Sequence, residues 1–125
     1  MRLPAFERAA AAVAALYCSA AIGLDAYAAH AAAADDSHRL ERASLYLLLH
    51  GIAVVALLAH RTPALTHRLA CVTLLLGTAL FSGSLCALAI LKTSATLAPA
   101  GGVMLIAGWL LTGYSLSRRR PPVLD

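Results

Sequence analysis

The stretch LACVTLLLGTALFSGSLCALAIL, Leu69 to Leu91, runs for 23 residues without an Asp, Glu, Lys, Arg, His or Pro, and Arg68 and Lys92 close its two ends. About 20 consecutive apolar residues suffice for a helix to cross a bilayer. The run is too long for a strand and shows no alternation of period two. Its Ala and Leu content favours helix. Three further runs of this kind flank it: about 9–29, about 43–59 between Arg42 and His60-Arg61, and about 101–117 ahead of Arg118. A polar loop is expected over 30–42, holding Asp35, Asp36, His38, Arg39 and Glu41. Short turns are expected over 60–68 with Pro63 and over 92–100 with Pro99. Pro99 and the Gly101-Gly102 pair mark the break before the last helix. The expectation is an all-α integral membrane four-helix bundle with short connecting turns, one transmembrane domain over 1–125.

Composition agrees. The chain is 61% hydrophobic and 13% charged, with a mean hydropathy of +0.78, whereas soluble domains carry about 25% charged residues. A soluble globule of 125 residues has too much surface to hide so many apolar groups. A disordered chain, a disulfide scaffold and a soluble enzyme domain are thereby excluded. The net charge of +4 and pI near 9.3 come from cations at the edges of apolar runs, where membrane topology places them, so no nucleic-acid partner is implied. Cys18, Cys71 and Cys86 lie inside apolar runs with no C-x-x-C spacing, as small hydrophobes do.

With four spans, the termini and the middle turn share one side. That side carries Arg2, Arg8, Arg61, Arg68, Arg118, Arg119 and Arg120, against Arg39, Arg42 and Lys92 opposite. The asymmetry predicts cytoplasmic termini. An alternative takes the first run as a cleaved signal peptide ending at Ala26-Tyr27-Ala28.

Four stretches carry a family likeness: Ala29-His30-Ala31; Tyr46-Leu47-Leu48-Leu49-His50; Leu80-Phe81-Ser82-Gly83-Ser84-Leu85; and Pro99-Ala100-Gly101-Gly102 followed by Ala107-Gly108-Trp109. In order and spacing the chain resembles the YgdD/YwdK-like proteins, domain-of-unknown-function family 423. The resemblance implies a small four-span protein of a bacterial cell membrane, with relatives in eukaryotes and no established activity. Ala28, Asp25, Leu47 and Cys86 depart from the usual pattern.

Small residues recur every fourth position at Ala11, Ala15, Ser19 and Gly23, and at Ala79, Gly83 and Ala87. Such stripes let helix backbones approach closely in lipid, within the bundle or in a homo-oligomer. Gly83, Gly101, Gly102, Gly108 and Trp109 are therefore assigned to helix packing. Ionisable groups within spans mark partners or wet cavities, which singles out Asp25 and His30 near the outer edge and His50 about 10 Å deep at helical rise. Tyr46 lies one turn from His50, and Ser82 and Ser84 fall at a similar depth on the next span. A buried polar cluster of Tyr46, His50, Ser82 and Ser84 is expected, either fixing helix register or handling a polar ligand or proton.

No P-loop, nucleophile elbow, H-E-x-x-H or dinucleotide fingerprint is present. His30 and His50 differ by about 10 Å in depth, too far to share a haem. Neither catalysis nor a cofactor is expected. The favoured function is a non-catalytic accessory or scaffold that packs with a membrane complex or with lipid. The alternative is a minimal oligomeric transporter or channel using Asp25 and His50.

Overall fold

The computed structural model describes residues 4–60 and 64–118. It contains four helices: α1 (Ala5–His30), α2 (Ala34–Ala59), α3 (Leu65–Leu91) and α4 (Ala98–Ser117). Each is long and apolar enough to cross a membrane. Large apolar side chains point outward all round, with Leu16 64%, Ile22 69% and Leu110 71% exposed. Water would not tolerate that surface, whereas hydrocarbon matches it. The chain is an all-α membrane four-helix bundle.

Every helix extends past its expected apolar core, and the expected polar loop over 30–42 is the largest correction. Only residues 31–33 separate α1 from α2. Asp35 and Asp36 occupy the first turn of α2, where carboxylates meet the positive end of the helix dipole. The polar residues after them pair along the helix surface: Arg39 with Asp36 at 3.1 Å, His38 with Glu41 at 3.5 Å, and the Ser37 hydroxyl to Glu41 at 3.1 Å. Spacings of three and four residues support a helix outside the apolar layer. In the middle connection His67 and Arg68 belong to α3. α4 begins at Ala98, with Pro99 in its first turn, where a missing N–H costs nothing.

At the end of α3, Lys92 takes the left-handed conformation, φ 56°, which is costly for a residue with a Cβ. Its ammonium is paired with Asp36, which ties the α3–α4 turn to the first turn of α2.

Neighbouring helices are antiparallel and pack in chain order. α1 also touches α3 lightly, while α4 packs on α3. Where backbones meet most closely, glycine is the reason. A Cβ on Gly51 would stand 2.9 Å from the Ala14 carbonyl oxygen, and one on Gly77 would stand 3.1 Å from the Gly101 carbonyl oxygen. Gly108 packs under Leu74. Gly83 and Gly102 do not share this role, since a Cβ on either would meet nothing within 4 Å. At 100° per residue, Gly83 is turned 200° from Phe81, which faces α4. The two small-residue stripes are corrected likewise: α1 buries Ala10, Ala14, Ala21 and Ala28, while Ala15, Ser19, Gly23, Ala79 and Gly83 are exposed.

Buried hydroxyls and one imidazole stitch the helices through backbone carbonyls. Ser44 donates to Ala21 at 2.8 Å, Ser82 to Ala43 at 3.0 Å, Tyr17 to Leu75 at 3.0 Å, and His67 Nε2 to Leu57 at 2.9 Å. Among the described residues, His67 Nδ1 and Ser115 Oγ are buried without a hydrogen-bond partner.

Candidate functional site

α4 leans on α3 alone, so a groove is left between α4 and α2, with α3 as its floor. Its volume is about 610 Å³. From α2 come Leu45, Tyr46, Leu49 and His50; Phe81 of α3 forms the floor. From α4 come Gly102, Leu105, Ile106 and Trp109. The absence of a side chain at Gly102 keeps this wall open. Among the described residues, no charged side chain lines the groove. His50 lies about 12 Å along the helix from Arg42 and about 14 Å from Ala59. The groove therefore opens sideways, inside the apolar layer.

Aromatic rings gather there. Tyr46 and Phe81 centroids are 4.3 Å apart, Tyr46 and His50 5.5 Å, and His50 and Trp109 6.0 Å. These are ordinary distances for favourable ring contacts. His50 is 5% exposed, yet both ring nitrogens are engaged. Nδ1 lies 2.7 Å from the Tyr46 carbonyl oxygen, and Nε2 lies 3.2 Å from Trp109 Nε1. A carbonyl only accepts and an indole N–H only donates. Nδ1 therefore carries the proton, and Nε2 presents its lone pair to Trp109. Trp109 remains 48% exposed and forms the only described side-chain hydrogen bond between α4 and α2.

The expected four-residue cluster is divided. Tyr46 and His50 lie together, but Ser82 is spent on the Ala43 carbonyl oxygen at another interface. Ser84 lies in a separate shallow groove with Gly83, Ala87 and the α3–α4 turn. Ser82 and Ser84 are two residues apart and so turned about 200° from one another around α3, which separates them. The sequence reading missed Phe81 and assigned Trp109 to packing. A signal was available, because Gly102, Ile106 and Trp109 follow helical spacing along one face of α4.

Asp25 and His30 are exposed on α1. Asp25 lines a shallow cleft of about 250 Å³ between α1 and α2, beside Glu41 and Ser44, away from His50. Lys92 pairs with Asp36. The Lys92 hydrogen bond, with Arg39 beside it, holds the Asp36 carboxyl below the usual carboxylate range. Among the described residues, no group of three His, Cys, Asp or Glu is placed to hold a metal. Arg68 lies over Phe6 and Arg118 over Tyr114, at 5.5 and 5.1 Å from the ring centroids. With Arg8, these cations mark the end opposite Arg39, Arg42 and Lys92. Arg2, Arg61, Arg119 and Arg120, which carry the rest of the charge asymmetry, lie outside the described residues.

Fold and groove together define a small four-span membrane protein with a lateral, aromatic-lined cleft. The family described as "Protein of unknown function (DUF423)" matches residues 24–102. The chain belongs to this family, and the matched region includes most of the groove. No curated protein and no solved structure matches the chain.

Proposed function

We propose that the protein is a non-catalytic membrane accessory that holds a lipid in the groove between α2 and α4, in a bacterial cell membrane with both termini cytoplasmic. The observation that carries this is the groove: about 610 Å³, uncharged, and flanked by aromatic rings. Ligand sites are concave, mostly apolar and of a few hundred to about 1,000 Å³, with few polar groups. At this depth the available occupant is hydrocarbon. Support for lipid holding over a conducting role comes from His50 and Asp25. His50 has both nitrogens satisfied within the protein. Asp25 opens into a different cleft, and Ala14, Val54, Cys71 and Leu74 fill the core between the helices at 0% exposure. The orientation is supported by the seven cations assigned to the terminal side against three opposite.

Native mass spectrometry of protein released from a mild detergent tests the reading. Wild type should carry retained lipid. Gly102→Leu fills the groove, where a Cβ meets nothing within 4 Å, and should be released bare. Equal lipid on both proteins, or none on wild type, overturns the reading.

A further inference from the structure

The polar end of the groove is specific enough to select a headgroup, and this inference rests on the groove being a lipid site. The Tyr46 backbone carbonyl fixes the His50 tautomer by accepting a hydrogen bond from Nδ1–H. The groove end therefore presents one acceptor, His50 Nε2, and one donor, Trp109 Nε1–H, facing each other at 3.2 Å. We infer that this pair is a latch for the hydroxyl of an uncharged lipid alcohol, which inserts between the two rings, accepts from Trp109 and donates to His50.

Three observations carry the assignment. First, a hydroxyl is donor and acceptor at once and so satisfies both ring atoms. A carbonyl or ether would accept from Trp109 but leave the His50 lone pair without a donor. Losing one partner of a buried polar pair costs more than the bond itself contributes. Second, among the described residues no cation or anion lines the groove. A phosphate, carboxylate or ammonium would thus be buried about 10 Å inside the apolar layer with no counter-charge, and a neutral headgroup avoids that. Third, the latch can open. Two hydrogen bonds through one oxygen need the ring nitrogens about 5 to 5.5 Å apart, so the indole must swing by about 2 Å from its present 3.2 Å contact. Trp109 is 48% exposed, and its outer edge faces hydrocarbon that can yield. The direct Trp109–His50 bond then keeps both polar groups satisfied when the groove holds only an acyl chain.

The chain's single tryptophan supplies the readout. Protein labelled with ¹⁵N is placed in detergent and titrated with oleyl alcohol, oleyl methyl ether or octadecene, following the one indole N–H resonance. Oleyl alcohol should shift it saturably, with about tenfold tighter apparent binding than the ether, the ratio for one hydrogen bond lost in an apolar site. Native mass spectrometry runs alongside with Trp109→Phe, which keeps an aromatic ring at a half-exposed position. In that variant the alcohol and the ether should bind with equal affinity. Equal binding of alcohol, ether and alkene, or a preference that survives Trp109→Phe, overturns the latch while leaving the lipid groove standing. If wild type retains no lipid at all, the groove reading fails and the latch with it.

Discussion

Adjacent glycines at the start of α4 should respond in opposite ways to the same methyl group. At Gly101 a Cβ would stand 2.8 Å from the Gly77 carbonyl oxygen and 2.9 Å from Phe81 Cα, both backbone atoms. No flexible side chain is available to give way. The backbone nitrogen of Phe81 would stand closer still, so α3 and α4 must separate there by about 1 Å to reach the 3.4 Å at which ordinary contact begins. Overpacking of this kind costs about 1–3 kcal/mol, while replacing glycine by alanine in a helix returns about 0.5–1 kcal/mol. The net expectation for Gly101→Ala is a loss of up to about 2.5 kcal/mol. At Gly102 the added methyl meets nothing within 4 Å, so Gly102→Ala should be neutral or slightly stabilising. Equilibrium unfolding in mixed micelles, titrated with a denaturing detergent and followed by circular dichroism, reads both. Equal shifts for the two variants would refute the packing described for α3 and α4. Gly83→Leu belongs to the same series: assignment of Gly83 to helix packing implies a folding defect, but the open space around Gly83 predicts near-normal stability.

Ser82→Ala should destabilise by about 1 kcal/mol through loss of the bond to Ala43, while Ser84→Ala should leave the same unfolding midpoint unchanged. Ser115→Ala removes a buried hydroxyl that has no partner and should hold or raise stability, read by thermal unfolding in detergent. Because the Asp36 carboxyl is held below its ordinary range in the folded protein, its contribution should be full above that range and lost as pH falls through the depressed value. The stability gap between wild type and Asp36→Asn should therefore close at strongly acidic pH; a gap that widens on acidification has the wrong sign. Reporter fusions at Asp125 and at Asp36 should report opposite sides of the membrane, the former cytoplasmic; a C-terminus on the outer side contradicts the orientation.

The apolar runs made four spans legible because bilayer thickness sets a length that composition alone can meet. They could not mark where α2 begins, since Asp35 to Arg42 reads as a loop in composition and becomes helical through its i,i+3 and i,i+4 pairs. Helix rotation was the harder quantity. α1 is so rich in alanine that Ala10 and Ala14 present the same spacing as Ala11 and Ala15, and only the tertiary contact with Gly51 selects the first pair. For the site, helical rise predicts a depth, and the four-residue spacing places Tyr46 beside His50. Ser82 and Ser84 share that depth but point elsewhere. Trp109 escaped because its bond to His50 crosses from α4 to α2 over α3, a contact between elements that neither follow one another nor pack directly.

Photo-crosslinking tests the lipid groove most directly. Wild-type protein in vesicles containing a phospholipid with a mid-chain diazirine is irradiated, digested and mapped by mass spectrometry. Labelling should concentrate on groove residues such as Leu45, Leu49 and Ile106, above outer residues of similar or greater exposure such as Leu16 and Ile22, and Gly102→Leu should abolish the excess. Uniform labelling of all outward apolar residues, unchanged by Gly102→Leu, would contradict the account.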